Sequence, residues 1–246
     1  MDRAVLRDDM VAGLEHESKG VVETASVSAA LRDVPRHEFV AEERTAYADR
    51  AFDHEGTTVL APSTVARLLE ALAPEHGDSV LVVGAGVGYT AAVCAEIAGG
   101  HNVHAVDIAR RLVIDARHNL ARAGYGSVLV DRRDGAHGFP EYAPFDRILL
   151  EAAAVRPPDA LIDQLAPGGR LVAPIGTRHQ SLAAFDDRGN AERFGPVSFA
   201  PLLVEGEQSD SLERNRTLRE DRERARANAE RRTGWEHDWI DWEGQF

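Results

Sequence analysis

The stretch that decides the fold is "VVGAGVGYTAA", residues 82–92. Three glycines at alternate positions, Gly84, Gly86 and Gly88, separate an apolar run from a helix-forming run. A glycine turn that leads from a buried strand into a helix lets a ligand approach backbone N–H groups, and the helix N-terminus adds a partial positive charge. The stretch therefore predicts a strand, a ligand-binding turn and a helix.

The glycine spacing indicates which ligand this turn binds. The dinucleotide fingerprint is G-x-G-x-x-G, but here the third glycine comes one position early and Tyr89 stands in its place. G-x-G-x-G is instead the spacing of methyltransferases that use S-adenosylmethionine. Asp107 ends the next predicted strand, where its carboxylate suits ribose hydroxyls. Asp134 and Gly135 follow the third strand at the same sheet edge, although they also fit a simple Asp-Gly turn.

Outward from the turn, strands alternate with helices. Strands are predicted over residues 79–84, 102–107, 127–131, 145–153 and 170–176. Helices are predicted over residues 10–17, 26–34, 63–72, 89–99, 109–124 and 158–169, with Ser63 as the N-cap of the third. Residues 181–187, 188–190 and 197–203 suggest a hairpin. The sequence thus predicts an α/β fold: a doubly wound, mostly parallel, Rossmann-like sheet with an antiparallel C-terminal edge hairpin.

The chain divides into three parts by composition. We expect residues 1–55 to form a helical segment packed on the core, residues 56–204 the Rossmann-like core, and residues 205–246 a charged extension. The extension ends in three tryptophans at helical spacing, which predicts one aromatic face that is covered by the chain itself or by a partner: Trp235, Trp239 and Trp242.

Charge and composition exclude several classes of function. The formal net charge of -13 argues against a nucleic-acid partner. No apolar run is long enough to span a membrane, and the charged first residues do not resemble a signal peptide, so we expect a cytoplasmic protein. Cys94 is the only cysteine and the histidines have no metal-ligand spacing, so no metal site is predicted. Lys19 is the only lysine, which suggests a halophilic, haloarchaeal protein or, alternatively, a GC-rich genome.

Several separated segments resemble the protein-L-isoaspartate O-methyltransferase family, in the family's order. They are "VPRHEFV" (34–40), "AYADRAF" (46–52), "VLVVGAGVGYTAAVCAEIA" (80–98), "DGAHGFPEYAPFDRILLEAAA" (134–154), "LIDQLAPGGRLVAPIG" (161–176), "QSL" (180–182) and "VSFAPLL" (197–203). The resemblance covers roughly residues 25–204. Many methyltransferases share the glycine turn, but the first segment and the block that runs from "PFDRI" (144–148) to "QL" (164–165) are more specific to this family.

The resemblance implies methyl transfer from S-adenosyl-L-methionine to the α-carboxylate of isoaspartyl residues in damaged proteins or peptides. The ester then cyclises to a succinimide, whose hydrolysis partly restores aspartate. An α-carboxyl group titrates at about 3.3 to 3.7, so the nucleophile is already ionised and no general base is needed. The implied cofactor-binding residues are Gly84, Gly86, Gly88, Tyr89, Asp107, Asp134, Gly135 and Gln180.

Three departures from the family fall where substrate or cofactor should lie. Leu60 replaces the family's active-site serine, Val82 replaces an acidic residue, and Glu151 replaces a threonine. One interpretation is a divergent repair enzyme in which backbone N–H groups and Thr57 or Thr58 replace the serine. Another is a paralogue that keeps the fold and the cofactor site but has a different substrate or only a binding role. A nicotinamide-dependent enzyme is the third alternative.

Overall fold

The computed structural model describes residues 2–42 and 45–204. The α-helices are α1 (Arg3–Glu15), α2 (Ala25–Asp33), α3 (Pro62–Leu72), α4 (Tyr89–Ala98), α5 (Arg110–Arg122) and α6 (Asp159–Asp163). The strands are β1 (Phe52–His54), β2 (Thr57–Val59), β3 (Val80–Val83), β4 (Val103–Asp107), β5 (Leu129–Arg132), β6 (Phe145–Leu150), β7 (Leu165–Ile175), β8 (Gln180–Asp186) and β9 (Ala191–Val197).

A seven-stranded sheet forms the centre of the molecule, in the order β5-β4-β3-β6-β7-β8-β9. The first five strands in this order run parallel, and β8 and β9 pair antiparallel at the edge. This arrangement confirms the predicted α/β class with its antiparallel C-terminal edge. The carboxyl ends of β3, β4 and β6 meet at one edge of the sheet, which is where open parallel sheets bind ligands.

Side chains alternate between the two faces of β3, and both faces are covered. Val80 and Val82 belong to a large buried cluster that also includes residues of α1 to α5, whereas Leu81 and Val83 belong to a second cluster that includes Leu161 of α6. A strand buried on both faces is a continuous apolar run, as "VLVV" is. Cys94 is fully buried on α4.

The start of α3 differs from the prediction that Ser63 caps it. The helix begins at Pro62 after Ala61, whose side chain cannot accept a hydrogen bond. The Ser63 amide instead donates to Oδ1 of Asp49 at 2.9 Å. Proline suits the first position of a helix because it has no N–H to satisfy. The cap therefore comes from a distant carboxylate, which local sequence patterns do not reveal.

The predicted helix over residues 158–169 is wrong in its second half. The helix α6 ends at Asp163 and β7 begins at Leu165, before the Pro-Gly-Gly sequence. The Phe145 amide donates to the Gln164 carbonyl at 2.8 Å, which draws the chain into the sheet early. The register between β6 and β7 then shifts after Phe145, so the extra residues form a bulge.

The edge hairpin is confirmed, but its second strand was assigned to the wrong residues. The strand β9 spans Ala191–Val197 rather than residues 197–203. The Asp186 carboxylate accepts hydrogen bonds from the amides of Arg188 and Asn190, so the turn is tight and β9 follows at once. Farther along, Pro201 bridges to Ala153 at the carboxyl edge of β6.

The strands β1 and β2 form a small separate hairpin that the sequence did not predict. In the part of the chain described here, no helix has the length and apolar character needed to cross a membrane. The predicted aromatic face of residues 235–242 lies outside the described residues.

Candidate active site

The glycine turn connects β3 to α4 and has the conformation that its glycines permit. Gly84, Gly86 and Gly88 have φ angles of 91°, 52° and 92°, a region that residues with a side chain rarely adopt. Gly88 caps the N-terminus of α4. The first N–H groups of a helix have no acceptor within that helix, so this turn presents donors and a partial positive charge to a ligand.

Asp107 lies at the end of β4 and closes onto the turn. Its Oδ2 atom accepts a hydrogen bond from the Gly86 amide at 3.0 Å, and its Oδ1 atom accepts one from the Ala109 amide at 2.9 Å. Asp107 is buried, and burial raises the pKa of its carboxyl above the ordinary value. Each carboxylate oxygen has a second lone pair, so Asp107 can still accept hydrogen bonds from a ribose.

Asp134 and Gly135 follow β5 and lie at the carboxyl edge of the parallel strands, where β3 and β4 also end. The Asp134 carboxylate accepts a hydrogen bond from the Ala136 amide at 2.9 Å. Gly135 is buried so tightly that an added Cβ would lie 2.3 Å from Cγ1 of Val83, the residue just before the glycine turn. The pair therefore forms a turn, in agreement with the simpler interpretation, and this turn places Gly135 against Val83 at the end of β3.

Tyr89, the first residue of α4, lies beneath the turn rather than facing solvent. Its side chain is buried, and its hydroxyl has no hydrogen-bond partner. Phe39 contacts the ring edge-on, with centroids 5.6 Å apart. The Arg36 guanidinium lies 4.5 Å above the Tyr89 ring. Tyr89 is therefore placed to support the turn from within the core.

Arg36 joins three segments around the site. Its Nε atom donates to the Ala46 carbonyl at 3.0 Å, and its Nη2 atom donates to the Leu60 carbonyl at 2.6 Å. The side chain is fully buried, which lowers the pKa of the guanidinium. Because Arg36 also stacks on Tyr89, it fixes the residue at the family's serine position relative to α4. Nearby, His37 Nδ1 lies 2.7 Å from the Tyr47 hydroxyl.

The β1–β2 hairpin holds the candidate substrate residues. Thr57 is half-buried and Thr58 is exposed, and their backbones pair with His54 and Asp53. The hairpin is anchored on α5 because His54 Nε2 lies 3.2 Å from the carboxylate of Asp115. Leu60 follows β2 and packs its half-buried side chain against the core. No hydroxyl is present at position 60, and the nearest hydroxyl before it in sequence belongs to Thr58, followed by that of Thr57.

Gln180 lies apart from the other predicted cofactor residues. It begins β8, which is separated from β3 by β6 and β7. Strands are spaced by about 4.8 Å, so Gln180 is roughly 14 Å from β3. Its Oε1 atom accepts from the Phe199 amide at 2.7 Å, and its Nε2 atom donates to the Phe199 carbonyl at 3.0 Å. The geometry favours a backbone clamp on Phe199, and a cofactor contact remains only a prediction.

The two remaining departures lie on neighbouring strands. Val82 is buried within β3, opposite Leu149 of β6. Glu151 comes directly after β6, and its amide donates to the Val83 carbonyl at 2.8 Å. A Cβ added to Gly84 would lie 3.5 Å from the Cβ of Glu151, so the first glycine of the turn and this glutamate are in contact. Compared with the family pattern, β3 lacks a carboxylate at Val82, and Glu151 provides one next to the end of the same strand.

The residues at this edge fit S-adenosylmethionine. The turn has three glycines with positive φ, Asp107 closes it with free acceptor capacity, and one enclosed carboxylate oxygen of Glu151 has no partner. A nucleoside with a cationic amino acid portion matches this set of acceptors. Among the described residues, no group of His, Cys, Asp or Glu is arranged to hold a metal ion.

The family model for Protein-L-isoaspartate(D-aspartate) O-methyltransferase matches residues 7–205, which include every element of the site. The chain belongs to this family. It is accordingly an O-methyltransferase that uses S-adenosylmethionine. The protein-L-isoaspartate O-methyltransferase of Aeropyrum pernix is 43% identical over 196 residues, covering 76% of this chain and 75% of that protein. The enzyme of the same name from Methanospirillum hungatei is 40% identical over 208 residues, covering 82% and 94% of the two chains.

Solved structures agree with the fold. A structure named protein-L-isoaspartate O-methyltransferase matches with a TM-score of 0.70 and 26% identity, covering 79% of this chain and 65% of that chain. A structure from Plasmodium falciparum, described as a protein-L-isoaspartate O-methyltransferase in complex with S-adenosyl-L-homocysteine, matches with a TM-score of 0.72 and 22% identity. It covers 80% of this chain and 98% of that chain.

Sequence reasoning missed one residue that supports the turn. The Nδ2 atom of Asn119 donates to the Val87 carbonyl at 3.1 Å, so α5 holds the middle of the glycine turn. Leu120 of the same helix lies against Gly88, where an added Cβ would be 3.1 Å from its Cγ atom. A polar residue within an amphipathic helix gives no local signal of this role.

Proposed function

We propose that the protein methylates the α-carboxylate of L-isoaspartyl residues in damaged proteins, which are its partners, and so starts their repair. The observation that carries this proposal is the family match over residues 7–205, which spans the glycine turn, Asp107 and the β1–β2 hairpin. Relatives of the same printed name match this chain over most of their own length, which supports the same substrate class.

Methyl transfer to a carboxylate requires alignment of the two reacting groups and does not require proton transfer. S-adenosylmethionine supplies an electrophilic methyl group on its sulfonium centre. Because the α-carboxylate is ionised at neutral pH, the protein has no proton to remove from the nucleophile. We assign ribose binding to Asp107, with Asp134 at the same edge. Gly84, Gly86 and Gly88 let the backbone approach the ligand closely. Most of the rate gain would come from orientation and from exclusion of water.

We assign binding of the substrate carboxylate to the β1–β2 hairpin and the residues that follow it. We propose that backbone N–H groups near Leu60, together with the Thr57 or Thr58 hydroxyl, bind the substrate carboxylate in place of the family serine. Arg36 supports this arrangement because it holds the Leu60 carbonyl and Tyr89 at once. Arg36 is a positioning residue in this scheme, since it is fully buried and does not reach the substrate.

A second candidate is a paralogue that keeps the fold and the cofactor site but methylates another group or none. Leu60 favours it, because no hydroxyl remains at the serine position. Radiolabelled cofactor offered with an isoaspartyl peptide should give a base-labile methyl ester, and the matched aspartyl peptide should give none. Cofactor binding without transfer to the isoaspartyl peptide would support the paralogue instead.

We also propose that the protein works in a salt-rich cytoplasm. The net charge of -13 and the single lysine, Lys19, support this setting, because excess surface carboxylates repel one another and salt screens them. The thermal midpoint should then rise with KCl near neutral pH and respond much less near the isoelectric point of about 5.2. An equal response at both pH values would contradict the halophilic assignment.

A further inference from the structure

Glu151 lies where a side chain from β6 meets the glycine turn. Its backbone is tied to Val83 and its Cβ faces the position where Gly84 has no side chain. The residue is half-buried, and its Oε1 atom is enclosed and accepts no hydrogen bond. A carboxylate oxygen in such a place loses its water without gaining a partner, which is unfavourable unless a ligand supplies a donor.

The groups around Glu151 do not compensate its charge. The Thr90 hydroxyl on α4 favours its ionised form, whereas the charge of Asp107 on β4 opposes it. Cys94, also on α4, is buried, and the charge of Glu151 helps to raise the pKa of its thiol. No lysine, arginine or histidine forms an ion pair with Glu151 among residues 2–42 and 45–204. Burial is the main reason that the pKa of Glu151 rises to about 7.

A ligand that carries a hydrogen-bond donor would satisfy this oxygen, and the ligand of this turn carries one. The methionine portion of S-adenosylmethionine has an α-ammonium group. Val82 leaves β3 without an acid to receive it. We propose that the Glu151 carboxylate binds this ammonium group, so that the acid beside the glycine turn has moved from β3 to the adjacent end of β6. This inference rests on the proposed function, through its use of S-adenosylmethionine.

The pairing also resolves a conflict of charge. An ionised Glu151 beside the site would repel the α-carboxylate of the substrate. Once the ammonium group is bound, the pair is neutral and the repulsion falls. The cofactor should therefore bind before the isoaspartyl peptide, and the peptide should bind weakly to the free protein.

The pH dependence follows from the raised pKa. Below a pH of about 7 Glu151 is mostly protonated in the free protein, and the ammonium group binds the ionised form, so binding must expel a proton. Cofactor affinity should therefore increase as the pH rises through 7 and then level off. At about pH 6, the loss relative to about pH 8 should approach tenfold.

The test is calorimetric binding of two probes to the full chain at about pH 6 and about pH 8. S-adenosylhomocysteine carries the ammonium group, whereas 5′-methylthioadenosine keeps the nucleoside but lacks the amino acid. The isosteric Glu151→Gln should weaken S-adenosylhomocysteine roughly ten- to a hundredfold at the higher pH and abolish its pH dependence. It should leave 5′-methylthioadenosine unchanged. Glu75→Gln, at an exposed site, is the matched control.

The outcomes separate this inference from the proposed function. If neither probe binds the wild-type protein, the cofactor assignment itself fails. If S-adenosylhomocysteine binds wild type and Glu151→Gln alike, with the same pH dependence, only the role of Glu151 is wrong. Equal weakening of both probes would likewise overturn it, because the substitution would then have disturbed the whole pocket.

Discussion

Asp107 links the glycine turn to the ligand through a single carboxylate. Its two oxygens accept from the Gly86 and Ala109 amides, and each oxygen has a second lone pair with which it can accept from a ribose. The sequence predicts this residue because it ends the strand after the glycine turn. Asn119 shows what the sequence could not supply, because its role depends on the Val87 carbonyl, a group that only the folded chain brings close.

Replacement of Asp107 by asparagine should weaken S-adenosylhomocysteine binding by roughly ten- to a hundredfold. The amide nitrogen cannot accept a hydrogen bond and the charge is lost, so a ribose contact to the ionised carboxylate of about 1.5 to 3 kcal/mol is removed. Calorimetry measures the change. Asp131→Asn is the control, because Asp131 lies on β5 and forms ion pairs with Arg117 and Arg133 instead. Unchanged affinity in Asp107→Asn would remove this carboxylate from the ribose site.

Leu60→Ser should raise the rate of methyl transfer to an isoaspartyl peptide by roughly tenfold or more. A hydrogen bond from a hydroxyl to a carboxylate contributes about 1.5 to 3 kcal/mol. Leu60→Ala is the matched control, since it removes the same packing without adding a hydroxyl. A gain in both variants would mean that space, rather than the hydroxyl, limits the reaction. No gain in rate for either variant would show that the hairpin already binds the substrate carboxylate without a serine at position 60.

At the level of secondary structure, apolar periodicity and glycine stops predicted most elements of the parallel sheet. Each error in the predicted elements has a specific physical cause. The α3 cap comes from Asp49, the Gln164 carbonyl draws β7 into the sheet early, and the Asp186 carboxylate tightens the edge turn. Each is a contact between a side chain or carbonyl and a backbone amide, and hydrophobic patterns carry no information about such contacts. The β1–β2 hairpin was missed because its strands are short and mostly polar.

The junction of α4 and α5 gives a prediction at this scale. Gly88 and Gly124 have nearly equal φ angles of 92° and 90°, but an added Cβ at Gly88 would lie 3.3 Å from the Ala116 carbonyl, whereas at Gly124 it meets nothing within 4 Å. Alanine should cost about 1 kcal/mol of backbone strain at both sites. At Gly88 it should cost roughly 1 to 3 kcal/mol more through overpacking. Urea unfolding measures both losses, and equal values would mean that α5 moves away freely.

At the scale of the whole molecule, the N-terminal segment and the core pack together behind the candidate site. One large cluster joins α1 and α2 to the helices that flank the glycine turn, so the N-terminal segment and the core share their packing. We retain the division at residues 55 and 204 as a proposal about organisation. The family's framework is kept around Leu60, Val82 and Glu151, and we propose that these three changes adjust the site without changing its reaction.

Conversion of an isoaspartyl peptide to its aspartyl form tests that claim most directly. Only esterification of the α-carboxylate lets the chain nitrogen displace methanol and close the succinimide, whose hydrolysis then yields some normal aspartate. We expect chromatography to show aspartyl peptide accumulating with the protein and S-adenosylmethionine together, and not when either is omitted. Absence of conversion while S-adenosylhomocysteine still binds the protein would contradict the account and leave a methyltransferase fold with another purpose.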